Sequence, residues 1–325
     1  MRNSTIFLLA GALTAGMLVS AAPAVPITDG LVFQLDATDP LDNGGTTLPG
    51  NGTALGTWHN LGSFGDPADA TASGSAQPTW YDSGGPNNSP RVNFDGSNDV
   101  MTAGTASDWK FLHYDDPGNA FDGSTVFAVW RTTDSNPDGA YGLISTGEAS
   151  TRQIGYDLWY DDRSSRGFEE RARFMITRGV HQNGAISLGN LDGTFPGATW
   201  GIQSSVYALG VPGPDGRLLV DGTVVASQET QNTPLTNSDP DHPLTIGDFG
   251  SLHSAFYLDG DFAEILIYDR ELSELEQDYV GTYLQAKYGL ATAYDVPEPS
   301  ALAVMAGLGL CGAMVWSRRR RRGAG

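Results

Sequence analysis

Residues 260–273 read GDFAEILIYDRELS, and the run Asp261 to Tyr268 within them is apolar on both sides of an extended chain. Phe262, Ile265 and Ile267, with Leu266 on the other face, serve two buried surfaces of a strand. Glu264 stands in the middle of that run. A carboxylate there needs a partner, which can be a backbone N–H, a basic residue or an ion. Immediately downstream, Ser273 and Glu276 form an S-x-x-E capping box. Leu275, Tyr279, Val280, Tyr283 and Leu284 follow at helical spacing, and Gly289 can close the helix in the left-handed conformation. The spacing predicts a helix over about Ser273 to Tyr288, packed across the edge of a sandwich.

Working outward, short apolar runs alternate with Gly, Asn, Asp and Ser clusters through the middle of the chain, the texture of an all-β protein. Gly30 to Asp36 (GLVFQLD), Ser124 to Arg131 (STVFAVWR) and Arg171 to Thr177 (RARFMIT) read as strands. Gln153 to Tyr160, Trp200 to Leu209 and Leu244 to Gly247 read the same way. In Arg217 to Ser227 (RLLVDGTVVAS), Asp221-Gly222 supplies the positive φ that a type I′ hairpin turn demands. The stretch from Ala37 to about Pro90 reads as loops and short strands around Thr57-Trp58 and Thr79-Trp80. No fixed-period repeat interrupts the pattern, which favours one domain over about residues 25–290, with 291–296 as a linker.

Composition narrows the partners. Residues 25–296 hold 12 Lys and Arg against 37 Asp and Glu, a formal charge of −25. Such a surface repels nucleic acid and anionic lipid. The single cysteine, Cys311, lies outside this region, so no disulfide staples it and a hydrophobic core must hold it.

Both ends carry addressing signals. Arg2, the apolar run Ile6 to Val19 and Ala22-Pro23-Ala24 have the three-part form of a secretory signal peptide, residues 1–24. At the other end, Pro297-Glu298-Pro299 precedes an apolar run, 301–317, and then Arg318 to Arg322. That run, about 25 Å long as a helix, suits a short transmembrane span, and the arginines hold its end in the cytoplasm. The motif, the glycine-bearing span with Gly307, Gly309 and Gly312, and the arginine block together resemble the PEP-CTERM sorting signal of Gram-negative bacteria, here residues 297–325. That resemblance implies processing by an exosortase near Pro297, Glu298 and Pro299, transient inner-membrane anchoring, and delivery to the cell surface or extracellular matrix.

A second resemblance concerns the fold. Phe94-Asp95-Gly96-Ser97-Asn98-Asp99-Val100 resembles the F-D-G-x-x-D motif of LamG-like, concanavalin A-like jelly rolls. Residues 260–273 resemble that family's terminal strand, and Val220-Asp221-Gly222 its V-D-G turn. The resemblance implies an all-β jelly-roll sandwich of two antiparallel sheets, about 12 to 14 strands, with one C-terminal α-helix.

Three candidate chemistries remain. Asp95, Asn98 and Asp99 offer oxygen ligands within one tight turn, and LamG-like domains often bind calcium there. Ala263 stands where the family often has an acid, which removes one oxygen. Trp159 and Tyr160 beside Asp161 and Asp162 combine rings that stack on sugars with carboxylates that bond hydroxyls. No E-x-D-x-x-E strand, G-x-S-x-G elbow or phosphate-cradling glycine loop is present, and the five histidines are dispersed. The expectation is a non-catalytic surface module that binds carbohydrate or matrix polymer. A surface polysaccharide hydrolase or lyase and a purely structural or adhesive coat protein are the alternatives.

Overall fold

A computed structural model describes residues 25–114, 123–134, 139–147, 154–167, 170–177, 186–208, 216–228, 238–250 and 256–295. The signal peptide, the Pro297-Glu298-Pro299 motif and the 301–317 span lie outside these residues. Among the described residues no helix is long and apolar enough to cross a membrane.

In chain order the strands are β1 (Leu31–Asp36), β2 (Thr53–Ala54), β3 (Thr57–Trp58), β4 (Ala70–Thr71), β5 (Thr79–Tyr81), β6 (Arg91–Asp95), β7 (Met101–Ala103), β8 (Ser124–Thr132) and β9 (Ala140–Ser145). They continue as β10 (Gly155–Asp161), β11 (Arg171–Thr177), β12 (Ile186–Thr194), β13 (Gly201–Tyr207), β14 (Gly216–Val220), β15 (Thr223–Gln228), β16 (Leu244–Ile246) and β17 (Asp259–Tyr268), before helix α1 (Glu274–Tyr288). They form two sheets. One has nine strands in the order β15-β14-β13-β8-β17-β6-β5-β2, with β1 also paired to β17; the other has eight, β12-β11-β10-β9-β16-β7-β4-β3. Every ladder among the described residues is antiparallel.

The strand at 259–268 is central, as its apolar run requires. β8 pairs along one side of it; β6 and then β1 share the other. A bulge explains its uneven spacing. Phe262 opposes Trp130 and Glu264 opposes Val129, so Ala263 is an extra residue. Phe262, Ile265 and Ile267 therefore all enter the core between the sheets, while Ala263, Leu266 and Tyr268 point to the outer face. β8 divides the same way, Val126, Ala128 and Trp130 inward, Phe127 and Val129 outward. Continuous apolar runs arise here because α1 covers the outer face of the nine-stranded sheet.

Helix α1 starts with the expected capping box. The Ser273 hydroxyl accepts from the Glu276 N–H, and the Glu276 carboxylate accepts from the Ser273 N–H. Gly289 ends the helix at φ 64°. Its position differs from expectation: it lies on the sheet face, against Phe127, Val129 and Leu266, and not across an edge. Gln277, Val280, Gly281, Leu284 and Tyr288 are buried, whereas Leu275 and Tyr279 are exposed. At about 100° per residue those two fall on the far side of the helix from Val280 and Leu284.

The hairpin is as expected, with Asp221 at φ 47° and Gly222 at φ 82°. β12 carries no clear strand signal because Gly189, Asn190 and Gly193 interrupt its apolar residues; a Cβ at Gly193 would lie 2.2 Å from Val225 of β15. Residues 291–295 are packed on the domain. The Ala293 N–H donates to the Asp221 carbonyl, and buried Tyr294 shares a hydrogen bond with Ser204.

Candidate functional site

Glu264 finds its partner in Lys287 of α1. The carboxylate is 1% exposed, and Lys287 Nζ donates to its Oε2 at 2.8 Å. The same ammonium donates to Asp36 Oδ2 at 2.5 Å. Asp36 and Glu264 are cross-strand neighbours in the β1–β17 ladder, so one lysine bridges two adjacent strands. Gln34 Nε2 donates to Glu264 Oε1 at 2.9 Å, and the hydroxyls of Tyr283 and Tyr288 donate to the same carboxylate at 3.1 and 2.9 Å. Burial pushes the Glu264 carboxyl upward against the pull of Lys287. Burial pulls Lys287 down, but Glu264 and Asp36 outweigh it and hold the ammonium above the ordinary lysine range.

This network lies at the edge of an open groove of about 620 Å³. Gln34, Asp36 and Tyr283 line it, with Thr28, Thr38, Asp39 and Ser63 as further polar groups and Val25, Leu31 and Leu61 as apolar ones. Asp36 Oδ1 accepts from the Thr38 N–H and hydroxyl, and the Asp39 carboxylate accepts from the N–H groups of Asn43 and Gly44. The polar groups are thus held before any ligand arrives, which lowers the cost of binding. Glu264 faces no open space. Lys287 binds both carboxylates, so the pair does not present the solvent-facing acid and base that hydrolysis uses. Gln34, Asp36, Tyr283 and Lys287 were not among the sequence candidates. One signal for Lys287 was available, since it is the sole basic residue of α1 and Glu264 demanded a partner.

The Trp159, Tyr160, Asp161 and Asp162 cluster is divided by strand alternation. Tyr160 turns into the core, 1% exposed, edge-on to Trp130 at 5.3 Å and stacked with Tyr141 at 6.2 Å. Trp159 and Asp161 face the outer side of the eight-stranded sheet. Asp161 accepts from Arg163 Nε and Nη2, both at 2.7 Å, and from Arg173 Nη1 at 2.6 Å. The Arg173 guanidinium lies 4.4 Å from the Trp159 ring centre, and Phe249 meets that ring edge-on. Trp159 is 5% exposed, so it presents no open stacking platform. Asp162 Oδ1 accepts the Glu170 N–H at 2.6 Å. These residues come together as an internal arginine–aspartate–tryptophan cluster.

Asp95, Asn98 and Asp99 form an Asx-type turn. Asp95 Oδ1 accepts the N–H groups of Ser97 and Asn98, at 2.8 and 3.1 Å, and Asp99 Oδ2 accepts the Asp95 N–H at 3.0 Å. Asn98 Nδ2 donates to the Ser75 carbonyl. Burial, then the Asp95 charge, raises the Asp99 carboxyl to about 6. Calcium takes six to eight oxygens, and among the described residues no three His, Cys, Asp or Glu side chains are grouped to hold a metal ion. In the folded turn Asp95 Oδ1 and Asp99 Oδ2 are engaged by backbone N–H groups.

No family model matches the chain, and no curated protein matches it. Solved structures do. The botulinum neurotoxin serotype D binding domain aligns with TM-score 0.50 and 13% identity, covering 79% of this chain and 51% of that one. The receptor binding domain of the botulinum neurotoxin C/D mosaic serotype gives the same figures. Trypanosoma rangeli sialidase in complex with 2,3-difluorosialic acid aligns with TM-score 0.48 and 17% identity, covering 83% of this chain and 35% of that one. The chain therefore spans about a third to a half of the structures it matches. At these identities the toxin domains show a shared β-sandwich fold alone.

Proposed function

We propose that this chain is an exported cell-surface or matrix protein whose sandwich binds carbohydrate without transforming it. A signal peptide over 1–24, exosortase processing at Pro297-Glu298-Pro299 and a brief inner-membrane stage through 301–317 bring residues 25–295 outside a Gram-negative cell. The module is of the LamG-like, concanavalin A-like kind. The groove beside β1 carries this reading. Its volume suits a small saccharide, and its Gln34, Asp36 and Tyr283 groups are fixed by the buried Lys287 network. Convergent, preorganised acceptors and hydroxyls beside apolar side chains are what sugar hydroxyls and ring faces require. The surface charge argues against nucleic acid as a partner.

The full chain, applied to a glycan array and to insoluble polysaccharide pull-downs, tests the reading. Binding that Ser63→Trp abolishes, by filling the groove without touching the network, supports it. A correctly localised protein that binds no saccharide leaves a structural coat role in its place.

A further inference from the structure

We propose that the groove beside β1 selects saccharides bearing a protonated amine over neutral and acidic ones; this rests on the carbohydrate reading above. Among the described residues, the groove is lined by Asp36 and Asp39 and by no lysine, arginine or histidine. Asp36 shares its one ammonium, that of Lys287, with Glu264, so two carboxylates divide a single cation. Asp39 accepts hydrogen bonds from the neutral backbone amides of Asn43 and Gly44, which orient its carboxylate without cancelling its charge. Three carboxylates thus stand against one cation. Cleavage after Ala24 would add the α-ammonium of Val25, which also lines the groove, and an excess negative charge would still remain.

A neutral sugar entering this space gains hydrogen bonds. An ammonium-bearing sugar gains those and a Coulombic attraction to the uncompensated carboxylate. A uronate or sulfated sugar meets repulsion there and from the acidic surface around it. Because the groove is open, the added attraction has the scale of a partly exposed ion pair, a preference of about fivefold. It weakens as salt screens it.

The test uses the full chain and three hexasaccharide probes: β-1,4-linked glucosamine, its N-acetylated form and a neutral glucan. Isothermal calorimetry is run at low and high salt and across the pH at which the sugar amine loses its proton. The expected result is about fivefold tighter binding of the glucosamine hexamer, a margin that narrows with salt and with deprotonation of the sugar. Asp39→Asn removes the carboxylate charge and one of the two acceptor oxygens of the turn, and should remove the margin between the charged and neutral probes; its melting temperature checks the fold. Equal affinity for all three probes overturns amine selection and leaves the carbohydrate reading standing. A preference that survives both Asp39→Asn and Ser63→Trp places the selection elsewhere on the acidic surface and overturns the proposal. Binding of none of the probes, or of any saccharide on the array, overturns both readings.

Discussion

Lys287 Nζ lies 2.8 Å from Glu264 Oε2, joining the last turn of the helix to the middle of the central strand beneath it. The ion pair is closed to water, with side-chain exposures of 6% for Lys287 and 0% for Glu264. Two carboxylates that β pairing places side by side would repel each other, and this one ammonium holds both.

Removing the lysine leaves buried carboxylates without a cation. Lys287→Met should therefore destabilise the protein by about 3–5 kcal/mol. Glu264→Gln with Lys287→Met, which removes charge from both partners, should cost less than Lys287→Met alone. Urea unfolding of both variants checks this, and equal losses would mean that packing, and not charge, dominates. The pH dependence has a definite sign. The Lys287 pKa is raised on folding, so its contribution is complete below the ordinary lysine value of 10.5 and is lost as pH climbs above it.

The capping box has the opposite pH signature. Arg270, with help from Ser273, lowers Glu276 from 4.5 to about 2. Its contribution is full above pH 4.5 and disappears as pH falls through 2. Glu276→Gln should cost about 1 kcal/mol at neutral pH and much less at pH 2. Thermal melts at the two pH values decide it, and an equal loss at both would contradict the assignment.

Asp99 should behave as a raised carboxyl. Its favourable contribution is present below 3.8 and lost as pH rises through about 6. Asp99→Asn should therefore be at least as stable as the parent at pH 8, by on the order of 1 kcal/mol, and lose that advantage at pH 4. Added calcium should leave both melting temperatures unchanged. A calcium-dependent rise in the parent, absent from the variant, would place a calcium ion at this turn.

Gly281 lets Tyr294 lie against the helix. A Cβ at this position would come within 2.1 Å of the Tyr294 ring. Gly281→Ala should thus destabilise by about 1–3 kcal/mol despite alanine's better helix propensity. Tyr294→Ala in the same background should make the alanine tolerable, and a double-mutant cycle measures the coupling.

Asp161 accepts from both Arg163 and Arg173 with its side chain fully buried. Asp161→Ala should cost about 3–5 kcal/mol, and Asp162→Ala much less. Loss of saccharide binding in a folded Asp162 variant would return that loop to the binding surface.

Much of the fold was legible because it depends on local patterns. The capping box, the helix end at Gly289 and the Asp221-Gly222 hairpin follow from residues a few positions apart, and each stands where its chemistry placed it. The doubly apolar runs at 126–130 and 262–268 announced strands buried on both sides. β12 was hidden because glycines and Asn190 interrupt its apolar residues, and Gly193 serves a close approach to Val225 of β15, a strand about thirty residues further along the chain. In sequence, the Trp159–Asp162 quartet at the end of the Gln153 to Tyr160 strand reads as adjacent aromatic and acidic groups open to a sugar. Strand alternation instead sends Tyr160 inward and its neighbours outward.

The sequence by itself determined most of the segments that become strands, where the helix begins and stops, and that Glu264 could not remain alone. It did so because backbone dihedrals, capping and side-chain period are settled within a few residues. Only the tertiary structure decided that Lys287 answers Glu264, that Asp36 shares it, and that a groove opens beside them. Asp36 and Lys287 lie 251 positions apart in the chain, and no local preference encodes a meeting made by strand register and helix docking together.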